Sequence, residues 1–309
     1  KSAQEILDTA EGAILSVAEH GIKTSSGLEP LIDAMQRAIE GMGRQGTATG
    51  FTDLDRMTGG MGDGDLIVVA GRPSMGKTAF VMTIAEYVAL ALKKNSAVFS
   101  LEMPAEALAA RMLTSHARIN NFKFRKDALN PEEREKMNRS FAALHEMPVF
   151  IDETGAISPG GIRARCRRFS RECGGLGLVI IDYLQLMNVN GLGDTRANEV
   201  AAASREMKHL AKELSCPVIM LSQLSRQVEQ RPNKRPTMSD LRDSGAIEQD
   251  ADLIIFMYRD EVYNPESPDK GTAEAIVAKQ RNGPIGTARL TWQGEYMRFS
   301  NFADPGRFA

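Results

Sequence analysis

Two kinds of apolar pattern alternate along this chain. At 66–70, 97–101, 148–151, 178–181, 217–221 and 254–257 apolar residues, many of them β-branched, follow one another with Ser100 as the one polar interruption. Such runs mark short strands buried on both faces. Between them, at 79–92, 104–117, 159–173 and 196–214, the sequence is helical in character. Strands that alternate with helices predict an α/β fold with a mostly parallel central sheet, and ligands at the strands' carboxyl ends.

Other stretches depart from this alternation. Residues 1–20 read as an amphipathic helix, with Ser2 and Glu5 spaced as a capping box and Ile6, Leu7, Ala10, Ile14 and Val17 on one stripe. A second helix is predicted over 28–40, before a glycine-rich stretch at 41–50. These helices either pack on their own domain or dock on a neighbouring subunit, and the pattern fits both. Residues 120–147 read as a polar, helical surface excursion, with Asn130-Pro-Glu-Glu133 as a helix start. Between 224 and 250 the chain turns polar, with Arg226, Arg231, Lys234 and Arg235 around two prolines, and is expected to be a long functional loop. Residues 272–280 and 285–292 flank Arg281-Asn-Gly-Pro284, an Asn-Gly hairpin signal.

Composition narrows the classes. With 309 residues and 42% apolar content, the chain can bury one large core plus an appendage. No apolar run approaches the ~18 residues of a membrane span. The chain opens on Lys1 with no hydrophobic targeting segment. A cytoplasmic protein, present as a fragment or processed form, is expected. Cys166, Cys173 and Cys216 lack metal-ligand spacing and read as inert thiols. A net charge of −2 makes no bulk case for nucleic acid, so any such site is local. The arginines at 163, 165, 167, 168 and 171 wrap most of a helix and read as a solvated face rather than a DNA groove.

The run at 66–70 leads directly into Gly71-x-x-x-x-Gly76-Lys77-Thr78. This is a P-loop. Gly71 and Gly76 let the backbone, including Ser74 between them, wrap a phosphate chain, and a helix from about Lys77 adds its positive end. Lys77 can reach the β and γ phosphates of ATP, and the Thr78 hydroxyl can ligate Mg²⁺. The run at 178–181 ends in Asp182, whose carboxylate would face the same ion from the strand's carboxyl edge.

Longer motifs narrow the reading further. Ser100-Leu-Glu-Met103, Ile181-Asp-Tyr-Leu-Gln-Leu186, Ser222-Gln-Leu-Ser-Arg226, the run from Ser239 to Asp252 (Ser-Asp-Leu-Arg-Asp-Ser-Gly-Ala-Ile-Glu-Gln-Asp-Ala-Asp) and Lys279-Gln-Arg-Asn-Gly-Pro284 together resemble the RecA-like motor domain of replicative hexameric DNA helicases, the DnaB family. The match runs from about Gly50 to Phe299. The resemblance implies a helical linker region over 1–45 that docks on a neighbouring subunit, and a RecA-like ATPase motor over 46–309. It implies Lys77 and Thr78 on phosphate and Mg²⁺, Asp182 on the ion, and Glu102 as general base on a strand beside that of the P-loop. Gln223 would sense the γ-phosphate, and Arg111 would contact phosphate within its own subunit. Lys279 and Arg281 would insert into the adjacent subunit's site, on a hairpin with no obvious local carboxylate to neutralise Arg281. Arg242, Asp243 and Gly245 would bind the backbone of single-stranded DNA in the channel of a hexamer ring. Primase binds that family's N-terminal scaffold domain, which this sequence lacks; primase and a helicase loader are the further partners implied.

The function expected is an ATP-driven helicase that translocates on single-stranded DNA and unwinds duplex at the replication fork. A RecA-like filament that uses nucleotide as a switch shares the P-loop and Glu102, but the runs at 239–252 and 279–284 favour the helicase. A small-molecule kinase would need a lid and substrate pocket, of which the loop at 224–250 gives no sign.

Overall fold

A run such as Leu-Ile-Val-Val-Ala can be apolar at every position only where both sheet faces are covered, and here they are. A computed structural model describes residues 30–43, 45–182, 187, 196–241 and 245–303. In chain order the helices are α1 (Leu31–Glu40), α2 (Thr52–Thr58), α3 (Lys77–Leu90), α4 (Ala105–Ala117), α5 (Asn121–Arg125), α6 (Pro131–Leu144), α7 (Pro159–Glu172), α8 (Arg196–Leu214) and α9 (Gly245–Asp250). The strands are β1 (Leu66–Gly71), β2 (Ser96–Ser100), β3 (Val149–Asp152), β4 (Leu178–Asp182), β5 (Val218–Gln223), β6 (Leu253–Tyr258), β7 (Thr272–Gln280), β8 (Gly286–Gln293) and β9 (Arg298–Asn301).

They form one sheet in the order β3-β2-β4-β5-β1-β6-β7-β8-β9. Pairing is parallel from β3 to β6 and antiparallel from β6 to β9. Alternate residues of β1 enter opposite cores. Ile67 and Val69 pack with Phe80, Ile84 and Val88 of α3, whereas Leu66, Val68 and Ala70 pack on the side of Met207 and Leu210 of α8. Each face therefore has its own apolar layer, which explains why β1 carries no polar alternation.

Local signals fixed several boundaries. The Asn130 side chain accepts from Glu133 N at 2.8 Å while the Glu133 carboxylate accepts from Asn130 N at 2.9 Å, a capping box that starts α6. Three of the five arginines of α7 tie it to its neighbours, Arg163 to Glu213 of α8 at 2.7 Å, Arg167 to the same carboxylate and Arg165 to Asp152 of β3, while Arg168 and Arg171 are exposed. The loop after β5 is more ordered than its composition implies. An isolated bridge joins Leu224 to Leu241, and Arg231 holds Asp240 at 2.6 Å. Strand β9 and helix α2 carried no sequence signal of their own.

The hairpin at 272–292 exists, but its Asn-Gly pair is not a two-residue turn. The β7–β8 ladder closes at Val277 and Gly286, while Lys279 and Gln280 remain paired with β6 alone. The helix expected at 1–20 lies outside the described residues. Among the described residues no helix is long and apolar enough to cross a membrane.

Candidate active site

Chain direction reverses between β1 and α3 through residues in left-handed conformation, Ser74 at φ 67° and Gly76 at φ 90°. A Cβ on Gly76 would lie 2.8 Å from the Phe299 ring. Gly71 serves differently: it lies in β1, and a Cβ there would come within 3.1 Å of the Met257 carbonyl. Gly76 also caps α3 without any side-chain acceptor. The first N–H groups of the helix thus face the cleft uncapped, a ready anion site.

Lys77 folds back over this loop, its ammonium donating to Gly71 O at 2.8 Å and Arg72 O at 3.2 Å. Burial pushes its pKa down to about 8, with Asp182 and Glu102 pulling the other way and Arg72 adding to the fall. The cleft holds a cation that an incoming phosphate would relieve.

Asp182 ends β4, and the Thr78 hydroxyl donates to its carboxylate at 2.9 Å. Burial pushes this carboxyl up to about 6; the Thr78 donor, Lys77 and Arg111 oppose the rise and Glu102 adds to it. These residues meet because α3 crosses the sheet over β5, β4 and β2. Glu102 follows β2, which pairs with β3 and β4 and not with β1. The expectation that its strand lies beside the P-loop strand is therefore corrected: β4 and β5 intervene. Its side chain is exposed yet still lines the cleft, since β2 ends level with β4, Ser100 beside Asp182.

Gln223 closes β5 in register with Gly71. Arg111 reaches in from α4; burial and then the charge of Arg125 lower its pKa, and it has no ion pair with a described carboxylate. Ser74, Gly76, Lys77, Thr78, Glu102, Arg111, Asp182 and Gln223 thus line one cleft of about 470 Å³.

Lys279 and Arg281 are elsewhere. A register shift between Ile254 and Ile255 leaves Ala278 unpaired in β7, so Lys279 moves to the face opposite Val277. There Lys279 donates to the carbonyls of Glu248 and Ala251, at 2.6 Å for the latter, and Arg281 to Gln249 O at 2.6 Å. Arg281 also meets a local carboxylate, contrary to expectation: its Nε is 3.4 Å from Asp252. This corner lies at the amino end of β1, since Asp252 N donates to Leu66 O at 2.9 Å. The P-loop is at the other end of that strand, roughly 16 Å away at ~3.3 Å per residue. Arg242 and Asp243 fall outside the described residues; Gly245 opens α9.

Comparison with known proteins decides the class. Residues 46–301 match the DnaB-like helicase C terminal domain family. The chain is 47% identical to the replicative DNA helicase DnaB of Haemophilus influenzae over 97% of its own length and 66% of the relative's. Against the corresponding protein of Buchnera aphidicola the figures are 46%, 99% and 68%. It spans about two thirds of these relatives. The chain belongs to the DnaB-like replicative helicases. Among solved structures, an ATPase domain determined on its own matches with a TM-score of 0.84 at 37% identity, covering 90% of this chain and all of that one. A DnaB-like replicative helicase studied with its interactions with primase matches at 0.85 and 36%, covering 97% of this chain and 74% of that one.

As a DnaB-like protein the chain is an ATP-hydrolysing helicase with an α/β, RecA-like fold, and its geometry adds side chains in and around the cleft, Arg259 and Glu86 lining it and Arg72 and Arg298 behind it. Arg259, just beyond β6, donates to Ser74 O at 2.9 Å and lies 4.3 Å over the Trp292 ring. Arg72 is buried, pairs with Glu229 at 2.8 Å and donates to Leu224 O at 2.9 Å, tying the P-loop to the segment after β5. Deeper along α3, buried Glu86 receives both arms of Arg298 at 2.9 Å. Position was a usable signal for Arg259, because it follows an apolar strand much as Asp182 and Gln223 end theirs. Nothing local marked Glu86 or Arg298.

Proposed function

We propose that this DnaB-like chain is the motor of a hexameric ring that hydrolyses ATP with Mg²⁺ to move along single-stranded DNA and part the duplex at the replication fork. The observation that carries the reading is the meeting of Lys77, Thr78, Asp182 and Glu102 around one cleft while Arg281 stands at the far end of β1. A cleft with its own base and phosphate cradle but a remote cation pair is what a site shared between subunits requires.

The donor set fits a hard divalent cation, because the Thr78 hydroxyl and Asp182 carboxylate offer adjacent oxygens. Mg²⁺ there would offset charge on the β and γ phosphates. Lys77 leaves the carbonyls of Gly71 and Arg72 for phosphate oxygens, and the uncapped N–H groups of α3 hold the chain behind them. The Glu102 carboxylate takes the proton from the attacking water. The Gln223 amide and the Arg111 guanidinium donate to phosphate oxygens from the side. Lys279 and Arg281 serve the next subunit's γ-phosphate.

Residues 46–309 form the motor in this reading, and 1–45 a linker that docks on the neighbour. In support, α1 exposes Leu31, Ile32, Met35 and Ile39 along one side, more than half of each accessible. Arg242 and the main chain of Asp243 and Gly245 hold DNA phosphates without regard to base. Primase and a loader are partners through the ring or a preceding domain, and the setting is the cytoplasm. The primase proposal is supported by the solved helicase whose interactions with primase were studied.

Mixing two inactive variants tests the ring. Arg281→Ala has an intact cleft and no finger; Lys77→Ala has the converse. Co-assembled, they should recover ATPase activity that neither has alone. No recovery despite demonstrated co-assembly would overturn the shared site.

A further inference from the structure

Asp252 is the residue that holds Arg281 in place, and nothing in the motor reading assigns it a task. It is buried, at 8% exposure, just before β6. One carboxylate oxygen is fully committed: Oδ2 accepts from Leu66 N at 2.8 Å and from Lys208 Nζ at 2.5 Å. Lys208 is fixed in turn, donating to Gly64 O at 2.8 Å. The other oxygen, Oδ1, faces Arg281 Nε at 3.4 Å. The same short segment grips the arginine twice more, through Asp252 O, which accepts from Arg281 N at 3.0 Å, and through Gln249 O at 2.6 Å.

We propose that Asp252 is a positioning residue for the trans-acting arginine, a role that rests on the reading of Arg281 as a finger across the subunit interface. A long side chain with free rotation loses entropy when it must meet a phosphate in one geometry. Clamping its root from Nε and the backbone removes part of that cost before the subunits meet. The charge balance allows it, because Lys208 and Lys279 stand with Arg281 against the Asp252 and Asp65 carboxylates, so Asp252 does not by itself neutralise the guanidinium. So does the donor count: a guanidinium has five N–H donors. Two nitrogens face Asp252 and Gln249, which leaves the outer edge, on a side chain 47% exposed, for an anion. Asp252 cannot assist its own subunit's cleft directly, since it sits at the amino end of β1 and the P-loop at the carboxyl end.

The test uses the full-length ring. Asp252→Asn keeps the shape and an acceptor for Leu66 N but loosens the arginine. Turnover should fall ~10–10²-fold with KM for ATP within about twofold, because the variant's own cleft is untouched. Mixed with Lys77→Ala under subunit exchange, the Asp252→Asn clefts should regain turnover wherever a Lys77→Ala neighbour supplies an intact finger. In an Arg281→Ala background the substitution should cost nothing further. Asp252→Glu keeps the charge that Lys208 pairs with and serves as the second variant under the same criteria if the Asn form does not assemble. If Arg281→Ala is rescued in mixtures and the Asp252 variant is not, its effect is local damage to β1 and the positioning role is wrong. Unchanged or raised turnover in Asp252→Asn also overturns it. Failure of Arg281→Ala itself to be rescued removes the shared site, and this role with it.

Discussion

The hydroxyl of Thr78, at the start of α3, donates to the carboxylate of Asp182, at the end of β4, at 2.9 Å and across 104 residues of chain. That contact joins the start of α3 to the strand that carries the acid, and in the proposed reaction both partners turn toward a cation.

Removing the Asp182 charge should separate stability from function. Burial raises this carboxyl from 3.8 to about 6. Its proton-linked contribution to stability is complete below the unfolded value and is lost as pH rises through about 6, so at neutral pH the ionised group is a cost. Asp182→Asn keeps an acceptor for Thr78 and should be more stable than the parent by ~1–3 kcal/mol at neutral pH without metal. The gain should shrink below about pH 5, and hydrolysis should be abolished. Denaturant unfolding at several pH values in chelator is the measurement; a less stable variant at neutral pH would contradict the burial argument.

Nucleotide binding should take up a proton in mild alkali. Burial lowers Lys77 to about 8. A phosphate on the ammonium favours the charged form and lifts the pKa back. Between about pH 8 and 9.5 each binding event should take up a fraction of a proton, read as a dependence of the calorimetric enthalpy on buffer ionisation. In Lys77→Ala the uptake should vanish and affinity fall. Equal uptake in the variant would assign the proton elsewhere.

Glu102→Gln should leave ATP bound and lower hydrolysis at least ~10²-fold, because the amide keeps the shape but cannot accept the proton. Single-turnover hydrolysis with a separate binding assay distinguishes the two effects. Parental hydrolysis by the variant would move the base to another group.

Gly76→Ala should destabilise the protein itself. The left-handed φ of 90° costs an L-residue ~1–2 kcal/mol. The new methyl would meet the Phe299 ring at 2.8 Å, and overpacking adds ~1–3 kcal/mol. A loss of ~2–5 kcal/mol in denaturant unfolding is expected, together with weaker nucleotide binding. A loss of only ~1–2 kcal/mol would mean that β9 yields freely, and an unchanged midpoint would contradict the left-handed strain as well.

What the sequence determined by itself is everything that depends on neighbours along the chain. Residues 66–71 and 178–182 announced buried parallel strands because both faces of such strands need apolar side chains. The spacing from Gly71 to Thr78 announced the left-handed turn and the helix that starts at Lys77, because a backbone turn and a helix start are local events. The start of α6 was legible in Asn130 and Glu133 for the same reason.

Only the tertiary structure decided which strands are neighbours and which face a side chain takes. Glu102 reaches the cleft from a strand that does not touch β1, a consequence of sheet order that no periodicity encodes. Lys279 shares the alternation of Ala275 and Val277 in the sequence, yet one unpaired residue against β6 turns it to the other face, toward the carbonyl end of α9. Arg281 finds Asp252, Arg259 finds Ser74 and Arg298 finds Glu86 through contacts 29, 185 and 212 residues apart. Local spacing fixes which backbone a segment prefers, whereas the partner of a charged side chain is chosen by how distant segments pack, and that choice exists only once the sheet has assembled.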